Sequence, residues 1–188
     1  MEQILFINAC VRQNSRTLEL AQHVISKLKG DVEEVKLFDT KLLPLDQKGL
    51  EIRDNAFKTK DYSSDAFALA KQFANAEAIV IAAPYWDLMF PAALKIYFEM
   101  ITVNGLTFVY GQNGIPRGLC KGKKLIYVTT AGGPIKYNFG YDYASALAKN
   151  FYGINDVSIV KAEGLDIYGA DVTSIIEKAK SDLIYEQM

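Results

Sequence analysis

Hydroxyl and guanidinium side chains cluster where the first apolar run of the chain ends. The run Ile4–Ile7 leads into the segment 8–14 (Asn-Ala-Cys-Val-Arg-Gln-Asn), and Ser15-Arg16-Thr17 then begins a helical pattern. The first N–H groups of a helix lack internal partners and carry the positive end of its dipole, so this junction can bind a phosphate group. Because the segment has no glycine, it is neither a Walker A loop nor a Gly-x-Gly-x-x-Gly turn, and hydroxyls and an arginine would make the contacts. The alternative is that Ser15 or Asn14 only caps the helix.

A second group of residues with binding chemistry follows another apolar run, Ala78–Ala82. The segment Pro84-Tyr85-Trp86-Asp87-Leu88-Met89-Phe90-Pro91 contains the single tryptophan of the chain, two further aromatic rings and two prolines. The prolines restrict the backbone on both sides, which suits a surface that holds a flat ligand. Such a ligand stacks on the rings or meets peptide N–H and C=O groups at its polar edge. The alternative is a buried aromatic cluster that anchors the next helix.

Paired glycines follow a third apolar run, Leu125–Val128, within the segment Thr129-Thr130-Ala131-Gly132-Gly133-Pro134. Glycine pairs let the backbone approach a ligand closely and leave N–H groups free to face an electron-rich atom, although Gly-Gly is also common in plain turns. Together, a phosphate anchor, an aromatic wall and a donor loop describe a site for a phosphorylated flat heterocycle. Flavin mononucleotide (FMN) fits this description best.

The elements that position these three loops alternate regularly along the chain. Helical patterns separate five strand-like runs. These runs are Ile4–Ile7, Val35–Phe38, Ala78–Ala82, Leu125–Val128 and Val157–Val160. The alternation indicates an α/β fold: a flavodoxin-like, doubly wound, five-stranded parallel sheet of order 2-1-3-4-5 with helices on both faces, and residues 1–188 as one domain. In such sheets ligands bind beyond the carboxyl ends of the strands, where the strand order reverses, so we expect the three loops to meet there.

Composition limits the classes of partner. The 188 residues include 21 basic and 22 acidic side chains, so the net charge of −1 gives no electrostatic reason to expect nucleic acid or an anionic membrane surface. Cys10 and Cys120 lie far apart and match no metal or redox spacing, so no metal is expected. The first run is strand-like and no apolar run is long enough to span a bilayer, so the cytoplasm is the expected location.

The chain resembles the flavodoxin-like NAD(P)H oxidoreductases, most closely the FMN-dependent NADH-azoreductases and NAD(P)H:quinone reductases. The resemblance covers nearly the whole chain. The stretches that carry it are Leu106–Tyr110, Gly118-Leu119, Gly122–Lys124, Thr129–Gly133, Gly153-Ile154 and Ala162–Gly164. It implies an enzyme that passes hydride from NADH or NADPH, through N5 of bound FMN, to quinones, azo compounds or similar small electrophiles. Donor and acceptor would share one open face of the flavin in a ping-pong mechanism, and no catalytic side chain is expected.

The resemblance also implies a homodimer and a set of contact residues. Together with the loop analysis above, the residues expected to bind the cofactor are Cys10, Arg12, Ser15, Arg16 and Thr17 in the first loop, Pro84, Tyr85, Trp86, Asp87 and Leu88 in the second, and Thr130, Ala131, Gly132 and Gly133 in the third. By position, Tyr110 and Phe151 resemble aromatic residues that line the substrate pocket. Residues of both subunits would line that pocket.

Three residues depart from the family pattern. Cys10 stands where serine is frequent, which removes or weakens one phosphate or ribityl hydrogen bond. Asp87 replaces a common asparagine; its carboxylate cannot donate a hydrogen bond and would disfavour negative charge on the flavin N1–O2 edge, unless it points outward or accepts from N3–H. Ala131 stands where a larger basic residue often sits, which removes one contact with substrate or nicotinamide.

Two other interpretations remain open. The first is an electron carrier of the flavodoxin kind that serves a protein partner, although carriers tend to be acidic and this chain is nearly neutral. The second is a domain that binds a different nucleotide or none. Separately, the polar segment Asp39–Tyr62 is predicted to be a long connection that flanks the pocket or the subunit interface.

Overall fold

A parallel sheet forms the centre of the computed structural model, which describes residues 2–186. The strands are β1 (Gln3–Asn8), β2 (Asp31–Lys36), β3 (Ala78–Ala82), β4 (Phe108–Tyr110), β5 (Pro116–Gly118), β6 (Lys124–Thr130) and β7 (Asp156–Ala162). Five of them pair in parallel in the order β2-β1-β3-β6-β7, and β4 and β5 form a separate antiparallel hairpin. Numbered by themselves, the five strands have the order 2-1-3-4-5, so the predicted fold class and strand order are confirmed.

Helices cover both faces of this sheet. They are α1 (Arg16–Lys27), α2 (Gln47–Thr59), α3 (Ala68–Asn75), α4 (Ala92–Ile101), α5 (Phe139–Leu147) and α6 (Val172–Glu186). One core layer joins α1 and α6 to the sheet through residues such as Leu20, Val24 and Ile176. The other layer packs α3, α4 and α5 against the opposite face, with Phe73 and Tyr97 among its fully buried rings.

The apolar strands explain why the sheet forms where it does. β3 is buried at all five of its positions, and β1 is buried everywhere except at Gln3. Helices on both faces remove both sides of these strands from water, so their sequences are continuous apolar runs without alternation. Burial on both faces fixes these strands as the middle of the sheet.

The second predicted strand was wrong in its limits. It was expected over Val35–Phe38, but β2 runs over Asp31–Lys36, and Leu37 and Phe38 belong to the turn that follows. β2 is an edge strand with a single buried residue, Val35, so its acidic residues face solvent and the strand has little apolar signal.

The segment Asp39–Tyr62 contains more structure than a connection. Helix α2 occupies most of it, and the Asp46 carboxylate caps that helix by accepting from the Gly49 N–H at 2.8 Å. Arg53 then donates hydrogen bonds to the carbonyls of Glu99, Met100 and Thr102 at the end of α4. The segment is therefore anchored to the sheet-covering helix α4.

Candidate functional site

The three predicted loops meet beyond the carboxyl ends of β1, β3 and β6 and surround a cavity of about 370 Å³. This volume lies within the range of about 300–1,000 Å³ that is typical of small-molecule sites. The lining residues are Val11, Arg12, Asn14, Ser15, Arg16, Thr17, Pro84, Tyr85, Trp86, Thr130, Ala131, Gly132, Leu165 and Asp166. Ten of the residues that were predicted to bind the cofactor are therefore brought together around one space.

The start of α1 forms one wall of this cavity. Ser15 is the N-cap of the helix, and its hydroxyl accepts from the Leu18 N–H at 3.3 Å, so the capping interpretation is correct for this residue. Capping does not use the next two donors, because the N–H groups of Arg16 and Thr17 donate to no group among the described residues. The wall thus presents free helix N–H groups to the cavity, as an anion site requires.

Thr17 links this wall to the glycine-containing loop. Its hydroxyl lies 2.6 Å from the hydroxyl of Thr130, and Thr17 is itself fully buried. The side chain therefore joins the start of α1 to the end of β6. This contact fixes the spacing between two of the three loops.

Arg16 lies at the rim, paired with an acidic residue. Its Nη1 atom is 2.8 Å from Oδ1 of Asp166 and 3.5 Å from the carbonyl oxygen of Leu165. Both side chains remain substantially exposed, at 41% for Arg16 and 70% for Asp166, so water screens the pair. Arg12 forms no ion pair with any described residue. The rim thus carries two cationic side chains and one carboxylate.

The aromatic loop contains a tight two-residue turn. Trp86 and Met89 exchange backbone hydrogen bonds of 3.1 and 2.8 Å, while Asp87 (φ 50°) and Leu88 (φ 69°) both adopt the left-handed conformation. Residues other than glycine rarely adopt this backbone conformation, so the turn is locally strained. The N–H groups of Asp87 and Leu88 donate to no described residue. Both side chains are exposed and neither lines the cavity, whereas Trp86 does.

The glycine-containing loop is held by the loop that follows β7. The N–H of Asp166 donates to the Gly132 carbonyl at 2.9 Å, and the N–H of Gly164 donates to the Gly133 carbonyl at 3.2 Å. These bonds use the carbonyls, while the N–H groups of Gly132 and Gly133 donate to nothing within residues 2–186. A β-carbon added at Gly132 would lie 2.3 Å from a carboxylate oxygen of Asp166, so the two loops are in close contact. Gly133 does not line the cavity.

Cys10 lies outside the cavity wall that the start of α1 forms. Its Sγ atom is 3.9 Å from the carbonyl oxygen of Ala82, and burial raises the pKa of the thiol. The residue lines a neighbouring crevice and not the cavity. Its thiol therefore stays protonated at neutral pH and does not face the cavity.

Tyr110 and Phe151 also lie outside the cavity lining. Both rings pack against Phe108, with ring centroids 5.2 and 5.0 Å from it. Tyr110 is 53% exposed at the end of β4. Within one chain, Tyr110 and Phe151 therefore lie near each other but outside the cavity of that chain.

Leu165 and Asp166 were missed by the sequence-based prediction. They reach the cavity because β7 pairs with β6 and ends beside the glycine-containing loop. Within the described part of the chain, no three His, Cys, Asp or Glu side chains are grouped so that they could hold a metal ion. The same residues include no helix that is long and apolar enough to cross a membrane.

Comparison with known proteins identifies the fold family. The sequence profile described as "Flavodoxin-like fold" matches residues 2–184. The chain belongs to this family. The FMN-dependent NADH:quinone oxidoreductase of Coprothermobacter proteolyticus is 34% identical over 203 residues, which cover 99% of this chain and 96% of that protein. The enzyme of the same name from Lachnoclostridium phytofermentans is 34% identical over 194 residues, which cover 96% and 95%.

Solved structures agree with this placement in the flavodoxin-like family. An azoreductase from Bacillus anthracis superimposes with a TM-score of 0.83 at 23% identity and covers 97% of this chain and 96% of its own. An FMN-dependent NADH-azoreductase from the same species, solved in complex with FMN, has a TM-score of 0.79 at 23% identity, with coverage of 97% and 96%. At this identity the structures support the flavodoxin-like fold alone, while the curated relatives confirm the resemblance drawn from the sequence.

Proposed function

We propose that this protein is an FMN-dependent NADH oxidoreductase that reduces quinones, azo compounds or similar small electrophiles. The observation that carries the proposal is the convergence of three loops around one cavity of about 370 Å³, two of which, at the start of α1 and at Gly132, have unused backbone N–H groups. FMN-dependent NADH:quinone oxidoreductase is the name of both curated relatives, which match nearly the whole chain. We also propose the class of acceptor and the ping-pong order in which the substrates bind.

Each part of FMN has a matching group in the cavity. The phosphate fits the start of α1, where the Ser15 hydroxyl, the free N–H groups and the Arg16 guanidinium lie at one wall. The flat ring fits against Trp86, whose side chain is 45% exposed beside Pro84. The ring edge fits the free N–H donor of Gly132. These donors favour negative charge that develops on the edge of the ring during reduction.

The chain itself supplies positioning and electrostatics. When bound, FMN supplies the two-electron chemistry between NADH or NADPH and the acceptor. Trp86 would hold the plane of the ring, and the N–H of Gly132 would donate to its edge. We assign no side chain to proton transfer. Because one face of the ring would stay open to both the donor and the acceptor, they would bind in turn, in ping-pong order.

In a homodimer, Tyr110 and Phe151 of one subunit would contribute to the substrate pocket of the other. Neither residue lines the cavity of its own chain, yet Tyr110 is exposed on the β4–β5 hairpin, where Ile115 in the turn and Leu119 directly after β5 are 62% and 42% exposed. An apolar exposed hairpin is a surface that a second copy can cover. We propose that this hairpin of each subunit approaches the cavity of the other and completes the substrate pocket.

Anaerobic titration of FMN-loaded protein with NADH tests the function. Rapid bleaching of the visible flavin absorbance is expected, followed by recovery of the absorbance on addition of a quinone such as menadione. Bound flavin that NADH does not bleach would contradict the reductase proposal and favour an electron carrier. Failure of the protein to bind FMN would contradict the assignment of the cavity itself. Sedimentation velocity on the same sample tests the dimer, which a monomer at micromolar concentration would overturn.

A further inference from the structure

A second concave space adjoins the proposed FMN site. This crevice has a volume of about 440 Å³ and lies between the start of α1 and the end of β2. It shares Val11 and Arg12 with the cavity, so it begins where the phosphate side of the cavity ends. Its volume is again in the range of about 300–1,000 Å³ that small-molecule sites occupy.

The crevice is lined by polar groups with unused binding capacity. Arg12, Lys36 and Asp39 all line it, and none of them makes an ion pair or a side-chain hydrogen bond with another described residue. Phe38 also lines it, with a ring that is 50% exposed and forms no aromatic pair among residues 2–186. Two cations, the free carboxylate of Asp39 and one open aromatic face therefore surround the same space, together with a second carboxylate, Glu34, which accepts a hydrogen bond from Asn8.

Hydrogen bonds hold the floor of the crevice and the turn that contains Phe38. The Asn8 side chain donates to Glu34 at 2.8 Å and accepts from the Cys10 N–H at 2.9 Å, which fixes the floor. The turn that contains Phe38 is closed by two bonds to the Lys36 carbonyl, from the Asp39 N–H at 3.1 Å and from the Thr40 hydroxyl at 2.7 Å. Phe38 and Asp39 are thus presented by a formed turn, and binding there needs little ordering of the chain.

This set of groups matches the parts of a nucleotide. An aromatic face stacks on a base, a carboxylate accepts from the hydroxyls of a ribose, and arginine and lysine donate to phosphate oxygens. A carboxylate after the second strand of an α/β sheet is well placed to bind ribose hydroxyls, and its charge disfavours a 2′-phosphate. Phe38 and Asp39 line only the crevice, whereas Arg12 also lines the cavity and therefore lies at the border with the proposed FMN phosphate.

We propose that the crevice is a subsite for an adenosine 5′-phosphate group, with the base on Phe38, the ribose on Asp39 and the phosphate between Arg12 and Lys36. Two ligands carry this group: a flavin dinucleotide (FAD) bound in place of FMN, and the nicotinamide dinucleotide donor. Because the phosphate of the ligand would adjoin the phosphate of FMN, the proposal rests on the proposed function. It predicts a preference for a ribose without a 2′-phosphate.

Variants of the crevice test this proposal through binding ratios. Phe38→Ala and Asp39→Asn are compared with Phe57→Ala, whose ring has a similar exposure of 46% but lies on α2. Quenching of flavin fluorescence gives the Kd for FMN and for FAD. Anaerobic flavin reduction gives the half-saturating concentration of NADH and of reduced nicotinamide mononucleotide, which lacks the adenosine half.

Two ratios are compared: the Kd for FAD over that for FMN, and the half-saturating concentration of NADH over that of reduced nicotinamide mononucleotide. The expected result is a change in one of these ratios only. Loss of base stacking in Phe38→Ala weakens the adenosine-containing ligand about tenfold and leaves FMN and reduced nicotinamide mononucleotide unchanged. A higher Kd for FAD identifies the flavin dinucleotide as the source of the group, and a higher NADH requirement identifies the donor. If both ratios equal those of wild type and Phe57→Ala while FMN still binds, the subsite is wrong. Failure of wild type to bind FMN refutes the proposed function instead, so the two failures are distinguishable.

Discussion

Replacing Asp166 with asparagine is expected to tighten FMN binding. The Asp166 carboxylate lies 2.8 Å from the Arg16 guanidinium, which we assign to the FMN phosphate. A dianionic phosphate and this carboxylate would therefore share one cation, and their mutual repulsion weakens binding. Asparagine keeps the size of the side chain and the backbone N–H that holds the Gly132 carbonyl, so the variant removes mainly the charge.

The size of the effect follows from Coulomb's law. If the two anions contact opposite sides of the guanidinium, they lie about 6 Å apart, and in water each pair of unit charges repels by about 0.7 kcal/mol. With a phosphate charge between about −1.5 and −2, the repulsion is about 1.2 kcal/mol before screening by salt. Screening at about 0.15 M salt leaves about 0.6 kcal/mol, a gain in affinity of about threefold. At about 0.01 M salt roughly 1 kcal/mol remains, a gain of about fivefold.

The assay is a fluorescence titration of apoprotein with FMN and with riboflavin at the two salt concentrations. Riboflavin lacks the phosphate, so its Kd is expected to stay the same. Asp156→Asn is the matched control, because it removes the same charge at the opposite end of the sheet, where β7 begins. Equal changes for FMN and riboflavin, or weaker FMN binding in Asp166→Asn, would refute the reasoning and indicate that the carboxylate orients Arg16.

Three further results are expected. The double variant Ser15→Ala/Thr17→Ala should weaken FMN binding at least about tenfold, since a hydroxyl bond from Ser15 to a charged group contributes about 1.5–3 kcal/mol and the Thr17 contact with Thr130 that spaces two loops is lost; an unchanged FMN-to-riboflavin affinity ratio would contradict the phosphate site. Arg53→Met should lower the free energy of unfolding in urea by about 2 kcal/mol with no change in FMN affinity, because it removes the charged donor at the end of α4. Burial raises the pKa of Cys120 from 9.0 to about 12, so the folded thiol keeps a proton that the unfolded thiol loses above pH 9. Between pH 8 and about 10.5, wild type should therefore lose about 2 kcal/mol more stability than Cys120→Ala, and parallel pH curves would argue against this burial.

The middle of the sheet was predictable because its strands are buried on both faces. Continuous apolar runs such as Ala78–Ala82 have one physical explanation in an α/β chain, and their loops then fall at one edge. The edge strand β2 was placed too late because Glu33 and Glu34 face solvent and dilute its apolar pattern. The hairpin of β4 and β5 was missed because three-residue strands carry no measurable periodicity.

The parts of the site that the sequence did not reveal depend on tertiary neighbours. Asp166 has no local motif, and it reaches the cavity only because β7 pairs with β6. The turn at Asp87 and Leu88 contradicts local propensity at Leu88, since aspartate tolerates the left-handed conformation but leucine does not favour it, and no glycine is present. Its geometry is set by the surrounding loops and by the hydrogen bond from the Tyr85 N–H to the Thr130 carbonyl at 3.1 Å.

The distribution of the cavity walls along the chain has a consequence for biosynthesis. The walls come from segments as far apart as Val11 and Asp166, and they meet only after β1, β3, β6 and β7 have paired. A nascent chain that has not yet released β7 from the ribosome therefore has no complete pocket, and flavin capture is confined to the last stage of folding. Once captured, a ligand at 100 times its Kd adds about 2.7 kcal/mol to the stability of the finished protein. Supply of the vitamin-derived cofactor would thereby govern how long newly made copies survive proteolysis.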